Sequence, residues 1–482
     1  MSQKFTTSLL LVIMMFSFSL SYSRDKGNPI KATTVDGSEI AISNKNTALI
    51  QNQTDNFYAP LTTNTYVVNF TPLGLSSFYD LQSNGVTNEI WQNPISPDNV
   101  HAAVMVLPTF GGTRFVNYLL STDRGQTWSL LGNVAESQSG FPSIDGYPDG
   151  KAVVAMHTTA GGVASARTQI FTDQGAGFGV FDRSDPGLNG TVSMIWARCL
   201  VTGNSTNPVA FVSSENAGTS LTGTNTVTSP TSFSGWQNYS DGSTAEQYAL
   251  GLAQNGNVGH AYIEATDVGS VSFRESTDGG LAWGTSTQIF NADITADSLT
   301  AFRGISVVYL QNTPCVTFEV IHQTVADGVF PTLPCKIMFW SPAVNGGVAK
   351  EIAGENNIPF YPNSGPSTSY GVYFPLCRPS IGRTNDPASS MLFCAINATT
   401  DQIQTSDSNV YYATYLTVSY NGGNTWTAPE RVTPTTPLKD YRYAGLSHTS
   451  SLKSSAPGAP WLVQGLVEVH DYAGAFAPSM PP

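Results

Sequence analysis

An all-β chain assembled from repeated antiparallel sheet units is what this sequence predicts, and three observations carry the prediction. First, Ser121-Thr122-Asp123-Arg124-Gly125-Gln126-Thr127-Trp128 returns as Ser276-Thr277-Asp278-Gly279-Gly280-Leu281-Ala282-Trp283 and as Ser419-Tyr420-Asn421-Gly422-Gly423-Asn424-Thr425-Trp426. The shared pattern is Ser-x-Asp/Asn-x-Gly-x-x-Trp, and each copy lies between strand-like runs. Second, β-alternating segments, each followed by a turn and another apolar run, begin near Asn88, Phe141, Ile195, Gln247, Phe302, Leu376 and Tyr441. The first five starts are about 52 to 55 residues apart, a period that suits a four-stranded unit repeated around an axis. Third, no stretch keeps a helical period over a useful length.

The recurring octet has a physical reading. The Asp or Asn side chain accepts hydrogen bonds from backbone N–H groups just ahead of it, closing a turn. Gly125, Gly280 and Gly423 supply the positive φ of a tight hairpin. Trp128, Trp283 and Trp426 then cover the hairpin base. The acid is used in holding the corner, so Ser121, Asp123, Ser276, Asp278, Ser419 and Asn421 are read as structural. Looser copies lie at Thr172 to Phe178, Ser229 to Trp236 and Trp340 to Gly347.

The pattern resembles the Asp-box, or BNR repeat, of sialidase-like β-propellers. That resemblance implies a single propeller over residues 61–472, with seven blades as the leading count and six as the alternative. Second strands are expected at Val100–Val106, Ala152–Met156, Val209–Val212, Gly259–Ile263, Cys315–Val320, Met391–Ile396 and Trp461–Leu466. The last unit runs out after about two strands, so Tyr66–Phe70 and Ser77–Leu81 are expected to close the ring from the N-terminal side. Residues 354–373 read as a long loop. Residues 24–60 read as an arm, and 473–482 as a flexible tail with Pro478, Pro481 and Pro482.

Family enzymes are expected to hold a substrate carboxylate with three arginines, one ahead of the first box, and to pair a Tyr nucleophile with a Glu. Guanidinium forks match carboxylate oxygens, which is why such a site is cationic. Here no arginine lies between Arg24 and Arg114, and Arg114 is seven residues before the first box. The family's catalytic residues are therefore not carried over. Arg198, Arg303, Arg378 and Arg442 do all lie within a few residues of a blade start, where the innermost strand would border the channel, with Glu246, Tyr248, Tyr441 and Tyr443 in similar places. They form a candidate anion site at the channel mouth; the competing reading pairs each arginine with a carboxylate.

Composition narrows the function further. Charged residues make up only 11% of 482, and 34 Asp and Glu against 21 Lys and Arg leave a net charge of -13. That balance argues against nucleic acid and anionic membranes, which need a basic footprint. Lys4, the apolar run Leu9 to Leu20 and the small residues Ser21-Tyr22-Ser23 read as a signal peptide over residues 1–23, giving an exported, extracellular or cell-surface chain. No other segment approaches a membrane span. In an oxidising destination, Cys377 with Cys394 and Cys315 with Cys335, each flanking a hairpin turn, are disulfide candidates, while Cys199 reads as a buried thiol. Six single histidines lack metal-ligand spacing, and Asp145 to Gly150 reads as a turn, so neither a metal nor a cofactor is expected. The expected role is a secreted, non-catalytic module that recognises glycans, proteins or further copies of itself. The alternative is a divergent carbohydrate-active enzyme, a sialidase-like glycosidase or a lyase, with its site at the channel mouth.

Overall fold

The computed structural model describes residues 68–473 apart from several short internal stretches, the longest being 78–84 and 359–373. The signal and arm expected over residues 1–60, most of the long loop and the tail after Ala473 lie outside the described residues.

Six four-stranded antiparallel sheets succeed one another along the chain, each a meander with its first strand innermost. Blade one comprises Ile90–Gln92, Val100–Val106, Phe115–Ser121 and Ser129–Asn133; blade two comprises Ser139–Gly146, Ala152–Thr158, Arg167–Asp173 and Phe181–Ser184. Blade three holds Met194–Val201, Val209–Glu215 and Thr222–Ser229, with Ser232–Phe233 and Gln237–Tyr239 sharing its outer edge. Blade four is Tyr248–Leu252, Val258–Ile263, Val271–Ser276 and Thr287–Phe290. Blade five is Leu299–Leu310, Thr313–Val325, Lys336–Trp340 and Lys350–Ala353, and blade six is Leu376–Thr384, Leu392–Ile403, Val410–Ser419 and Glu430–Arg431. Helical structure among the described residues includes only a single 3-10 turn, Asn345–Gly347. The chain is a β-propeller.

The leading count of seven blades is corrected to six. The segment beginning at Tyr441 supplies only two strands to its own sheet, Asp440–Leu446 and Gly465–His470, here called the closing hairpin. The intervening strands Thr449–Leu452 and Trp461–Leu462 join the inner edge of blade six instead. Of the strands expected to close the ring, the described parts, Val68–Phe70 and Ser77, are not in strands, and the rest lies outside the described residues.

Closure is visible in another form. Serine hydroxyls on inner strands accept backbone N–H groups from the next inner strand: Cys199 N donates to Ser143 Oγ at 3.1 Å, Ile381 N to Ser306 Oγ at 3.3 Å, and Leu446 N to Ser380 Oγ at 2.9 Å. The series continues across the seam, where Gln92 N of blade one donates to Ser447 Oγ of the closing hairpin at 2.9 Å. Each staple satisfies a buried amide that would otherwise have no ladder partner.

The core is a set of apolar layers between neighbouring blades. Trp91, Tyr118, Ile144 and Phe171 fill the layer between blades one and two, and Ile263, Phe273, Val307 and Phe318 that between four and five. Such layers explain the near-continuous burial of the second strands, which face a neighbour on both sides.

The predicted disulfides are corrected: all five cysteines are buried thiols. Register explains why. Cys377 lies opposite Asn397 and Cys394 opposite Ile381, so the two are about three residues, or roughly 10 Å, apart along the ladder. Cys315 sits next to Val316, which faces Trp340, while Cys335 precedes Lys336, which faces Val320. Both separations exceed the Cα distance of roughly 7 Å that a disulfide tolerates. Burial pushes the thiols of Cys199 and Cys315 up to about 12, where they are poor nucleophiles.

Candidate functional site

Two places concentrate the polar residues singled out by sequence: the corners between third and fourth strands, and the axial channel.

The three octets occupy the same corner in blades one, four and six, between the third strand and the fourth. Their hydrogen bonds repeat. Ser121 Oγ donates to Asp123 Oδ1 at 2.7 Å and accepts Gly125 N at 2.8 Å, while Asp123 Oδ1 accepts Thr127 N at 2.8 Å. Ser276, Asp278 and Gly280 reproduce the first two distances, and Asp278 Oδ1 accepts Ala282 N at 2.9 Å. In blade six Ser419 Oγ accepts Gly423 N at 2.8 Å and Asn421 Oδ1 accepts Thr425 N at 2.9 Å. The glycines have φ of 82°, 93° and 91°. Gly423 also lies against the Phe339 ring of blade five, and Trp426 stacks edgewise on that ring at 5.3 Å. Each corner thereby pins its own hairpin and also lies against a neighbouring segment, Gly125 on Gln464, Gly280 on Ala210 and Thr226 of blade three, and Gly423 on blade five. The Thr127 hydroxyl, its backbone N–H and Ser121 pull the Asp123 carboxyl down to about 2, so this acid stays ionised and engaged.

The channel is different in kind. The chain enters blade one along the axis through Gly85, Val86, Thr87, Asn88 and Glu89. Arg198 of blade three donates to Val86 O at 2.7 Å, and the Arg378 guanidinium of blade six donates to Gly85 O. Thr87 Oγ1 donates to Tyr443 O at 3.1 Å, and Asn88 Nδ2 to Ser143 Oγ at 2.9 Å. Gly85 is required here, since a Cβ would collide with the Glu246 carbonyl.

The structure places every channel candidate named from sequence in buried surroundings. Arg198 pairs with Glu246 at 2.8 Å, with side chains 5% and 0% exposed. Arg442 pairs with Asp440 at 2.6 Å and stacks over Tyr412. Arg303 and Arg378 are brought together through one carboxylate: their backbone N–H groups donate to Glu319 Oε1 at 3.2 Å and Oε2 at 2.6 Å. The Arg303 guanidinium lies over Phe302, and that of Arg378 near Tyr443. Tyr248 donates to Trp196 O at 2.6 Å, and Tyr441 packs beside Phe70. Arg198, Arg378 and Glu246 thus converge on the axial segment, whereas Arg442 is held between Asp440 of the closing hairpin and Val410 and Tyr412 of blade six.

Strained backbone recurs around the same ring. Phe141, Trp196, Arg378 and Tyr443 all have φ between 53° and 55°, near the start of an inner strand. A register break falls beside each: between Gly140 and Ser143, between Ile195 and Arg198, between Cys377 and Ser380, and between Arg442 and Gly445. These bulges re-aim one side chain per strand and free the following serine or its neighbours for the interblade staples.

Sequence reasoning missed Glu89 and Glu319. Glu319 was visible as a lone charge inside the apolar run Cys315–Val320, a sign of a buried partner. Glu89 is 4% exposed and its Oε2 has no hydrogen-bond partner among the described residues. Burial, then the carboxylates of Glu468 and Glu246, hold its carboxyl well above the usual range, against the opposing pull of Arg198. Beside the axial segment a small cavity is lined by Val86, Asn88, Arg198, Leu250, Ser306 and His448. Burial, then Arg383 and Arg198, bring the His448 ring down to about 4. Asp145, the first residue of the segment read as a turn, lies at the end of the inner strand of blade two and accepts Val201 N at 2.7 Å, so it serves as another interblade bond. Among the described residues no group of three or more His, Cys, Asp or Glu is arranged to hold a metal ion, and no helix is long and apolar enough to cross a membrane.

A ring of six four-stranded blades around a channel filled by its own chain defines the class: a β-propeller with an internally neutralised axis. No protein-family model matches the chain, and no curated protein matches it. Solved structures similar to it include a polysaccharide lyase, an ulvan lyase bound to -[GlcA(1-4)Rha3S]-, at 12% identity and TM-score 0.45, covering 84% of this chain and 96% of that one. An α-L-arabinanase of Penicillium chrysogenum with arabinobiose is similar at 12% identity and TM-score 0.42, over 68% and 92%. A Trypanosoma rangeli sialidase mutant displaying trans-sialidase activity is similar at 10% identity and TM-score 0.39, over 82% and 60%. At these values the likenesses bear on no residue and no activity of this chain.

Proposed function

We propose that this protein is an exported, non-catalytic propeller that works as a binding or self-assembling module outside the cell. The observation that carries the reading is the state of the channel. The cations that would hold an anionic substrate are buried, and the protein's own carboxylates and carbonyls already engage Arg198, Arg378 and Arg442. A site committed in this way is a structural axis, and recognition is left to loops and rim. The rim offers apolar surface: Phe178 is 69% exposed, and Leu130 and Val180 each 54%. Phe178 and Val180 flank Gly179, which packs on Leu131 of the neighbouring blade, so the three sit around one blade junction. The low share of charged residues, 11%, favours neutral-polar or apolar partners such as glycans, proteins or further copies. The purified chain is expected to give ligands on a glycan array or concentration-dependent mass in light scattering. A strictly monomeric particle with no array ligand would refute both forms.

One observation favours the enzymatic alternative. Glu89, Glu246 and Glu468 come from different parts of the ring, and one of the three has its carboxyl pushed up, as a general acid requires. Turnover of any member of a fluorogenic glycoside panel, abolished by Glu89→Gln with the fold intact, would establish that reading over the first.

A further inference from the structure

Blade one meets the closing hairpin and the adjoining strand Thr449–Leu452 on the inner edge of blade six through hydrogen bonds that are neutral apart from that of the Arg124 guanidinium to Leu452 O. Besides the Gln92–Ser447 staple and the Thr87–Tyr443 bond, Gln92 Nε2 donates to Ser451 Oγ at 2.9 Å and Thr449 Oγ1 to Gln92 O at 3.2 Å. Gln464 Nε2 donates to Arg124 O at 2.8 Å. As between the other separate sheets of the ring, no ladder joins the two among the described residues, so side-chain contacts hold the seam.

Glu89 lies on the blade-one side of that seam. The charged groups that act on its carboxyl are Glu468 from the closing hairpin, Arg198 from the inner strand of blade three and Glu246 from the approach to blade four. Two of the three are carboxylates. Arg198 is already committed to Glu246 at 2.8 Å, and Glu468 Oε1 lies 2.5 Å from His470 Nε2. A second negative charge at Glu89 would therefore meet Glu468 across the seam with its own Oε2 unpartnered and nearly excluded from water.

We propose that Glu89 is a proton-dependent clasp: protonated, it lets blade one and the closing hairpin meet, and its ionisation loosens the ring at that seam. The sign follows from linkage. A carboxyl held up in the folded state contributes its stability fully below the unfolded value of about 4.5, and loses it as pH rises through the folded value. The ring is therefore tightest in acid as far as this group is concerned, and the seam is its first point of opening in alkali.

The test compares wild type, Glu89→Gln and Glu468→Gln by thermal unfolding and by hydrogen exchange at about pH 4.5, 7 and 9. Glu89→Gln is expected to match wild type at the lowest pH and to melt several degrees higher at the highest. Exchange in wild-type peptides spanning residues 86–92 and 441–452, corrected for intrinsic rates, is expected to quicken with pH, and to do so less in the variant. Glu468→Gln, which removes the facing charge, should shift the same way by a smaller amount and decides the matter if Glu89→Gln does not fold. A Glu89→Gln variant equal to wild type at every pH, or destabilised equally at every pH, would overturn the proposal. So would a Glu468→Gln variant with no pH-dependent gain.

Discussion

The corner turns and the channel use the same kinds of side chain to opposite ends. At the corners Asp123 remains at the surface, its oxygens engaged by Thr127 and Ser121, and its charge is held on. In the channel Glu89 is shut away from water among other carboxylates, and its charge is held off. An acid within one tight loop finds its donors from its own sequence. An acid on the axis depends on residues that lie far apart along the chain, here at 198, 246 and 468. Local chemistry therefore makes the corners robust and repeatable, while the channel is an assembly whose members fail together.

That difference can be tested by breaking each side. The largest loss is expected for Arg198→Ala, which leaves Glu246 buried without its cation; unfolding in urea should show about 3–5 kcal/mol less stability. Gly423→Ala comes next, because the residue sits at φ 91° and a Cβ would meet the Phe339 ring; a loss of about 1–3 kcal/mol is expected by the same measurement. Ser276→Ala should cost about 1–2 kcal/mol, since it removes the acceptor of the buried Gly280 N–H. The smallest change is expected for Asp123→Asn. Blade six already builds its corner with Asn421, whose Oδ1 makes the equivalent bond, so the melting point should barely move.

Acidification probes the whole ring. Burial lowers the rings of His101 and His448 to about 4, and those of His157 and His260 well below the ordinary value. Each favours the folded state only while neutral, so its contribution is present above about pH 6.5 and lost as pH falls towards the folded value. Thermal unfolding is expected to show a falling midpoint between roughly pH 6.5 and 4. This trend is common to wild type and Glu89→Gln, and so separates from the clasp.

How much of this was legible in the sequence follows the same division. The corners were readable because Ser, Asp, Gly and Trp act within eight residues, and Gly125, Gly280 and Gly423 take the positive φ expected of them. The inner-strand positions of Arg198, Arg303, Arg378 and Arg442 were readable from period alone. Most of their partners were not, because Gly85, Val86, Glu246 and Glu319 are brought to them only by ring geometry, whereas Asp440 stands two residues before Arg442 on the same strand. One signal was present and unused: Phe141-Pro142-Ser143-Ile144 and Arg378-Pro379-Ser380-Ile381 share Pro-Ser-Ile, and both serines turn out to staple neighbouring strands. The disulfides failed on register: the ladders set Cys377 opposite Asn397 and Val316 opposite Trp340, so neither hairpin is centred midway between its two cysteines. The seventh blade failed because the final segment gave two of its strands to blade six.

Hydrogen exchange over residues 85–92 measures the filled channel most directly. With the axial segment seated against Arg198, Arg378 and Ser447, its amides are expected to exchange as slowly as those of the second strands Ala152–Thr158 and Val258–Ile263. Exchange as fast as that of the exposed corner around Gln126 would mean that the segment is not seated and that the arginines face an open channel.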